Sequence, residues 1–469
     1  MPAFTGLLML AFEFPPLGGI GIQRSLMLAK YLPTFGVKPV VVTPDIPSLE
    51  TWFGRAKETE LLDQLPSDVT IYRVPCPRPK PVPTSRATQW IGQMMSLGES
   101  LGQHWEAELL KRWDRVVAES RPAAIYVSVP PFSMAPLAVK LAHRSGLPLI
   151  LDFRDNWSQC GVSPKASWLH YQLLLQRERA CVQRASAVVG VTGQLIEDFK
   201  RVHPLVPTSK FQVIHNGYDA PLICAAVPKP QRQAEPFVIG YVGSFYYTPK
   251  TRAAMMSPWW RRSPHRWLKF APRREDYLYR SPFFFFRALH RLLDGRPDLR
   301  SRVKVRFVGD TPSWLRAQVE EFGLTDVAEH LGRMSHHACL EFQASCDALL
   351  ATSAKVIGGR DYCIAGKTFE YVASQVPIIA FVTEGEQRDF LMASGLALVC
   401  DADEPEAGAR GLADLIEGRF LPAPNLPFLH RFHRRETARQ MAELVRQVAG
   451  AVGAAKPVER EFASALAQP

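Results

Sequence analysis

A glycine, a lysine and a glutamate stand close together at Gly366, Lys367 and Glu370. If Gly366 opens a helix, Lys367 lies in its first turn, where an ammonium group can meet a phosphate, and Glu370 follows about one turn later on nearly the same face. A carboxylate in that position could accept two hydrogen bonds from a ribose diol. The spacing fits a nucleotide-binding helix start, but without further context a plain Lys–Glu surface pair at i,i+3 is the favoured interpretation.

Two further groups of residues follow predicted strands in the first half. Gly18 and Gly19 lie between the first strand and a helix, where backbone N–H groups can approach a phosphate, and a tight turn is the structural alternative. The segment Asp152–Asp155 lies at the carboxyl end of a predicted buried strand, where open α/β sheets bind their ligands. Its two carboxylates are suited to catalysis, and an internal ion pair of Arg154 with a carboxylate is the alternative.

Glycines also follow strands in the second half. Gly243 lies in Gly240–Phe245, and a similar turn lies in Phe307–Asp310. Both turns could line a cleft with backbone N–H donors, but such a turn alone is more often an ordinary strand exit. The Asn-Gly turn in Asn216–Asp219 marks the junction between the two halves.

Short apolar runs rich in β-branched residues alternate with longer helical patterns, as expected for parallel sheets with crossover helices. The predicted strands of the first half are Leu7–Phe12, Pro39–Thr43, Val69–Val74, Ala124–Val129, Pro148–Asp152, Ala187–Val191 and Phe211–Ile214. Those of the second half are Phe237–Val242, Val303–Val308, Ala348–Thr352, Pro377–Val382 and Ala397–Cys400. The fold class is therefore α/β, with two successive units.

Proline marks the boundaries of these units. Tyr218–Pro236 cannot continue a strand ladder and is predicted to be an interdomain linker, whereas Cys76–Pro83 is predicted to be an extended surface loop. After about residue 430 the pattern is helical, and residues 450–469 are expected to fray. The predicted organisation is an N-terminal domain over 1–218, a linker over 219–236, a C-terminal domain over 237–430, and a helix with a tail over 431–469.

The composition is that of a folded protein with anionic partners. The 469 residues suffice for several domains, and 47% hydrophobic with 22% charged residues excludes a disordered chain. The net charge of +11 favours nucleic acid, phosphorylated small molecules or acidic lipid. Eight cysteines without a CxxC pair predict reduced thiols in a cytoplasmic protein. No apolar run approaches the roughly 18 residues that span a bilayer, so any membrane contact is expected to be peripheral.

Taken in this order, the motifs resemble the GT-B glycosyltransferases, specifically the large retaining group called glycosyltransferase family four. The resemblance extends from the Phe14–Arg24 loop through the Lys367–Tyr371 helix start to the terminal helix around Arg434–Ala438. It implies two Rossmann-like domains facing each other across a cleft, with a C-terminal helix. It also implies that the second domain holds most of a nucleotide-sugar donor and the first domain most of the acceptor.

The resemblance assigns roles to single residues as well. Glu370 matches the carboxylate that binds the donor ribose, and Lys367 is similar to a lysine found at this helix start in several subgroups. The implied catalytic residues are Asp152, Asp155 and Lys367. The implied donor-binding residues are Gly18, Gly19, Gly243, Arg333, Asp361, Lys367 and Glu370.

Two departures from the family pattern concern the donor. Many members carry a second glutamate eight residues before the one that matches Glu370. Here Tyr362 occupies that position, so the neighbouring Asp361 is the expected substitute. Many members also have an arginine and a lysine after the first strand of the second domain. Ser244 takes the arginine's place, and Lys250 is the nearby candidate for the lysine.

Residues 246–282, called the insertion below, form the most basic part of the chain. The insertion holds nine basic residues against two acidic ones, interleaved with aromatic residues that include Trp259, Trp260 and Trp267. A lid whose arginines neutralise the donor diphosphate and a contact with anionic lipid are favoured over RNA binding, because similar enzymes commonly use a lipid-linked acceptor. A subdomain with the tryptophans in its core is the structural alternative.

These observations predict a retaining glycosyltransferase that moves a sugar from a nucleoside-diphosphate donor to a hydroxyl acceptor, in cell-surface polysaccharide or glycolipid synthesis. Backbone N–H groups, a helix N-terminus and cations would stabilise the leaving diphosphate, and no metal or other cofactor is expected. The alternatives are a sugar-nucleotide epimerase of the same fold and an inactive basic scaffold that binds membrane or RNA. The expected location is the cytoplasm, either free or peripheral on the inner face of the cytoplasmic membrane.

Overall fold

The computed structural model describes residues 4–54, 58–79, 100–161, 164–219, 236–261 and 266–465. The chain divides into two units at Asn216–Gly217. Unit 1 runs to Asn216 and also includes Leu268–Ala271 and the chain from Arg434, whereas unit 2 comprises Gly217–Trp267 and Pro272–His433. Nearly all of the predicted linker over 219–236 lies outside the described residues, as does the end of the predicted Cys76–Pro83 loop.

Unit 1 is built on a seven-stranded parallel sheet. Its strands are β1 (Thr5–Leu10), β2 (Val37–Pro44), β3 (Thr70–Val74), β4 (Ala124–Val129), β5 (Leu149–Phe153), β6 (Ala187–Gly190) and β7 (Phe211–Val213). The strand order is β3-β2-β1-β4-β5-β6-β7. The run from Leu7 to Leu10 is fully buried, because helices cover both faces of a parallel sheet. These helices are α1 (Gln23–Tyr31), α2 (Ile46–Phe53), α3 (Leu101–Ser120), α4 (Met134–Ser145), α5 (Trp168–Arg184) and α6 (Gly193–Val202).

Unit 2 is built on a second parallel sheet, with six strands. In chain order its strands and one small antiparallel pair are β8 (Phe237–Val242), β9 (Glu275–Asp276), β10 (Val303–Val308), β11 (Ala328–Gly332), β12 (Ala348–Thr352), β13 (Lys355–Val356), β14 (Ile378–Phe381) and β15 (Ala397–Cys400). The sheet order is β11-β10-β8-β12-β14-β15, and β9 pairs with β13. The helices are α7 (Pro249–Met256), α8 (Phe283–Gly295), α9 (Ser313–Glu321), α10 (His336–Ser345), α11 (Gly366–Ser374), α12 (Glu386–Ser394), α13 (Pro405–Ile416) and α14 (Leu426–His430).

The two parallel sheets confirm the predicted fold class. All twelve predicted strands are present, with shifts of one or two residues at some ends. The sequence misses β11, an edge strand of the second sheet that is only partly buried. Its sequence, Ala-Glu-His-Leu-Gly, has no apolar run, because the edge of a sheet is not enclosed on all sides.

The C-terminal helix α15 (Arg434–Ala465) belongs to unit 1. Its Ala438, Met441 and Val445 are buried in the same core cluster as Leu7 and Met9 of β1. The sequence predicts fraying over residues 450–469, whereas the helical backbone extends to Ala465. Among the described residues, no helix combines the length and apolar character that crossing a bilayer requires.

The insertion is divided between structural roles. Tyr277 and Tyr279 pack against the core of unit 2. Trp260 and Trp267 are 64% and 51% exposed, so these two tryptophans do not form the core that the structural alternative expects. Arg252 forms two hydrogen bonds of 2.8 Å with Asp276, which fixes α7 to β9. The insertion ends in a helical turn over Tyr277–Arg280 that leads directly into α8.

Candidate functional site

The predicted helix start at Gly366 is present, and it is fastened to the carboxyl end of β8. Lys367 Nζ donates a hydrogen bond to the backbone oxygen of Val242 at 3.1 Å. One turn later, the Tyr371 hydroxyl accepts a hydrogen bond from Val242 N–H at 3.0 Å. The Lys367 ammonium also lies 3.4 Å from the centre of the Tyr241 ring, a cation–π distance. The beginning of α11 is therefore held at the sheet edge where ligands bind in this fold class.

Gly243 allows the chain after β8 to lie in direct contact with the chain after β10. Its φ of 106° lies in the left-handed region, which favours glycine. A Cβ at Gly309, after β10, would come within 2.6 Å of the Gly243 carbonyl oxygen, so the two strand exits touch through glycine. Phe245 stacks on Tyr241 with ring centres 4.0 Å apart, which supports the ring beneath the Lys367 ammonium.

The charge of Lys367 is poorly compensated. Loss of water around the ammonium lowers the pKa of Lys367 well below its ordinary value, and the nearby Arg280 guanidinium lowers it further. Glu370 acts in the opposite direction. An anion arriving beside Lys367 would favour the charged ammonium, since opposite charge stabilises the ionised form.

Arg280 is the second cation of this site, and it comes from the last turn of the insertion. Its guanidinium donates to the Cys363 sulfur at 3.6 Å and lies over the Tyr246 ring at 5.2 Å. Removal from water lowers the pKa of Arg280, but Cys363 and Asp361 more than offset this, so the pKa is raised overall. In the part of the chain that the structure describes, Arg280 has no carboxylate within ion-pair distance. Thr352 Oγ donates to the Arg280 carbonyl at 3.0 Å and fixes its backbone.

Asp361 lies almost fully buried on the same side of the sheet. Burial raises the pKa of Asp361 to about 6, although Arg280 and the Cys363 N–H favour the ionised form. Its carboxylate accepts a hydrogen bond from the Cys363 N–H at 3.0 Å. Tyr362, which replaces the family's glutamate, is also buried, and Arg273 lies over its ring at 5.0 Å. Asp361 is thus a carboxylate whose charge changes near neutral pH.

The titration of Asp361 gives the first prediction. The buried Asp361 carboxyl keeps its proton up to about pH 6 in the folded protein. Its contribution to the free energy of unfolding is therefore largest below pH 4 and is lost as the pH rises from 4 through 6. Compared with wild type, the Asp361→Asn variant should therefore gain stability as the pH rises from 4 to 7, by about 3 kcal/mol in total. The melting temperatures of both proteins across this range measure the effect.

The comparison depends on how the difference in Tm between each variant and wild type changes with pH. Asp68→Asn removes an exposed carboxylate and serves as the control, whose difference from wild type should stay flat over the same range. If the Asp361→Asn difference is equally flat, the carboxylate does not change charge near pH 6 in the folded protein.

Glu370 is partly buried on α11, one turn after Lys367. Its Oε2 accepts a hydrogen bond from Gln343 Nε2 of α10 at 3.4 Å. The second carboxylate oxygen is not engaged by another described side chain. A carboxylate held in this way can still accept hydrogen bonds from a diol.

Arg333 lies at a neighbouring part of the same edge. It forms two hydrogen bonds with Asp310, at 2.7 and 3.1 Å, and Ser244 Oγ donates to the same carboxylate at 3.1 Å. The serine that replaces the family's arginine therefore contacts Arg333 only through Asp310. Lys250 is exposed in the first turn of α7.

In unit 1, Asp152 is fully enclosed rather than open to a ligand. Both of its oxygens accept hydrogen bonds from Arg24, at 2.5 and 2.8 Å, and the Tyr126 hydroxyl donates to it as well. Arg24 also donates to the backbone oxygens of Ile214 and His215, which ties α1 to the end of β7. The carboxylate of Asp152 is thus paired with Arg24, whereas Arg154, for which the sequence offered an internal ion pair, lies 3.9 Å from the Glu13 carboxylate.

Arg154 and the glycine loop form a separate group in unit 1. Arg154 donates to the backbone oxygens of Gly21 and Pro130, and Asp155 is half-buried in the same loop. Gly19 has a φ of 113°, which requires glycine, and the space beside Gly18 is occupied by the Glu58 carboxylate. A carboxylate repels a diphosphate, so Glu58 would have to move before an anion could approach Gly18.

The structure thus brings together Gly243, Asp361, Lys367 and Glu370 in unit 2, with Arg333 at the rim. It places Gly18, Gly19, Asp152 and Asp155 in unit 1. Arg280 is the functional candidate that the sequence does not single out. The feature of the sequence that could have identified Arg280 is its position directly before the apolar start of α8, where the insertion ends.

Comparisons with known proteins agree with this architecture. Residues 18–217 match the family model described as Glycosyl transferase 4-like domain. No curated protein matches the sequence. Among the similar solved structures is the lipopolysaccharide outer core galactosyltransferase WaaB in its apo form, with 11% identity, a TM-score of 0.56, and coverage of 94% of this chain and 100% of that chain.

Two further solved structures share the fold. Anabaena HepE in complex with UDP has 15% identity and a TM-score of 0.53, over 97% of this chain and 100% of that chain. Sucrose-phosphate synthase from Thermosynechococcus elongatus has 12% identity and a TM-score of 0.53, over 98% of this chain and 100% of that chain. At such identities the likeness concerns the fold.

Proposed function

We propose that this chain, which has the GT-B glycosyltransferase fold and a glycosyl transferase 4-like domain at residues 18–217, moves a sugar from a nucleoside-diphosphate donor to a hydroxyl acceptor. The observation that carries the proposal is the pair of partly buried cations, Arg280 and Lys367, at the carboxyl end of β8. Neither forms a salt bridge with a carboxylate among the described residues. Shielded cations are costly unless an anion pairs with them, and a diphosphate supplies two adjacent negative groups.

In the proposed reaction, the bond between the anomeric carbon and the diphosphate oxygen breaks, and a bond to the acceptor oxygen forms. Negative charge grows on the leaving diphosphate, where Arg280 and Lys367 stabilise it without a metal ion. The proton of the acceptor hydroxyl passes to a departing phosphate oxygen. We propose retention of the anomeric configuration, with the acceptor approaching from the side that the diphosphate leaves.

Glu370 is proposed to hold the donor ribose. It lies one turn after Lys367 on the same face of α11, so a nucleotide whose diphosphate meets Lys367 would bring its ribose toward Glu370. The UDP bound in the structurally similar Anabaena protein makes UDP the first nucleotide to test. Asp361 is proposed to contact the donor sugar in place of the family's glutamate, and a polysaccharide or glycolipid acceptor remains a prediction, as does a location at the inner face of the cytoplasmic membrane.

A thermal-shift experiment tests the donor site. A nucleoside diphosphate that binds only the native protein must raise the Tm, by mass action. Glu370→Ala should keep the ligand-free Tm and weaken binding of that nucleotide about 10- to 100-fold, because two hydrogen bonds to a charged group are lost. Glu320→Ala, which removes an exposed glutamate from α9, is the matched control and should bind as wild type does.

Two results would count against the assignment. Wild-type nucleotide affinity in Glu370→Ala would remove Glu370 from the donor site. A Tm that no nucleoside diphosphate or nucleotide sugar raises would contradict donor binding as a whole. Release of free nucleoside diphosphate in the presence of an acceptor separates transfer from epimerisation, because an epimerase does not accumulate that product.

A further inference from the structure

The start of α5 in unit 1 presents large apolar side chains to solvent. Trp168, Leu169 and Leu173 are 58%, 59% and 42% exposed. Leu169 and Leu173 are four residues apart and lie on one face of the helix, next to Trp168. Adjacent exposed residues of this size form a patch of the kind that marks an interaction surface.

Part of the insertion extends this patch. The backbone of Phe270 pairs with that of Lys165 in an antiparallel bridge, with N–H···O distances of 2.8 and 3.1 Å. Leu268, which is 66% exposed, lies two residues before Phe270, so the bridge brings it near the residues that precede α5. The Phe270 ring packs against Tyr171 with ring centres 4.9 Å apart, so the segment is held in place. Trp168, Leu169, Leu173 and Leu268 are called the α5 surface below.

The charged residues within the segments that carry the α5 surface are basic. Lys165, Lys269 and Arg177 flank it, and no acidic residue occurs between Gly161 and Arg177 or between Leu268 and Ala271. The next acidic residue, Glu178, is buried and holds Ser158 and His203 inside the unit. Basic residues beside exposed tryptophan and leucine are typical of proteins that lie in the headgroup region of a membrane.

We propose that the α5 surface docks unit 1 on an anionic lipid bilayer. The tryptophan and the leucines would insert between headgroups, while Lys165, Lys269 and Arg177 meet lipid phosphates. A second copy of the chain fits this face less well, because a symmetric contact would set the same three bases against one another. The proposal concerns unit 1 alone and does not depend on the transferase activity.

Co-sedimentation with vesicles tests the proposal on the full chain. One vesicle preparation is phosphatidylcholine alone, and the other contains about 30% phosphatidylglycerol, which supplies the negative surface potential. Wild type should bind the anionic vesicles and be released at about 1 M salt, where charges are screened within about 3 Å. Trp168→Ser with Leu268→Ser should bind at least tenfold more weakly and keep the wild-type Tm.

Leu205→Ser is the matched control, since Leu205 is 81% exposed elsewhere in unit 1, and it should bind as wild type does. Equal binding by the double variant and wild type would overturn the proposal, as would an absence of binding to anionic vesicles. Concentration-dependent dimerisation that the double variant abolishes, without vesicle binding, would assign the α5 surface to a second copy instead.

Discussion

Arg280→Ala is expected to lower kcat/KM by about 10²- to 10³-fold, the loss that follows when one group stabilising the developing charge is removed. The guanidinium adjoins Lys367 and lacks a carboxylate partner among the residues described. Its removal should also let the pKa of Lys367 rise, since a neighbouring positive charge is gone. The predicted loss should fall mostly on kcat, because the diphosphate carries more charge in the transition state than in the bound donor.

Steady-state kinetics with the donor identified by thermal shift measure this effect. Arg280→Lys should recover part of the rate, because it restores a charge without the planar guanidinium. Arg274→Ala removes an exposed arginine from the same insertion and should leave the rate within a fewfold of wild type. Equal rates for Arg280→Ala and Arg274→Ala would show that Arg280 does not act on the donor.

The second large effect concerns the stability of unit 1. Asp152→Ala leaves Arg24 enclosed without its counter-charge, and breaking a buried pair in this way costs about 3–5 kcal/mol. The Tm should fall by roughly 10 °C for a domain of this size. Arg24→Met combined with Asp152→Leu should recover much of the loss, because it removes both charges and fills the space with apolar groups.

An exposed pair of the same geometry supplies the control. Arg144 binds Asp114 through two hydrogen bonds of 2.9 and 2.6 Å on the surface of unit 1. Asp114→Ala should leave the Tm nearly unchanged, because water screens the pair. If Asp152→Ala keeps the wild-type Tm but abolishes turnover, Asp152 acts on the substrate, as the family resemblance implies.

The strands were predictable because parallel sheets enclosed on both faces require continuous apolar runs. Leu7–Leu10 and Ile378–Phe381 show this directly, since nearly every side chain in them is buried. β11 escaped prediction because an edge strand such as Ala328–Gly332 has no such requirement. The start of α11 was predictable for another reason: Gly366, Lys367 and Glu370 are close enough in sequence for helical spacing to place them on one face.

Contacts between distant residues were not predictable in this way. The sequence suggests an ion pair within the Asp152–Asp155 loop, yet α1 brings Arg24 to the Asp152 carboxylate and Arg154 lies beside Glu13. Arg280 reaches Lys367 only because the Tyr277–Arg280 turn is fixed to the end of β12. Nothing local to Gly18 reveals that Glu58 fills the space beside it.

The C-terminal helix α15 determines how truncation of the chain affects unit 1. Arg434 donates a hydrogen bond to the Gln23 carbonyl at 2.8 Å, and Arg446 donates one to the Phe35 carbonyl at 2.7 Å. α15 is therefore bonded to the chain at the first residue of α1 and again four residues after its end. Truncation of the chain after His433 would therefore leave unit 2 complete and uncover the apolar face of β1 and β4 in unit 1. The fold of unit 1 therefore depends on α15 as much as on the helices that lie between its strands.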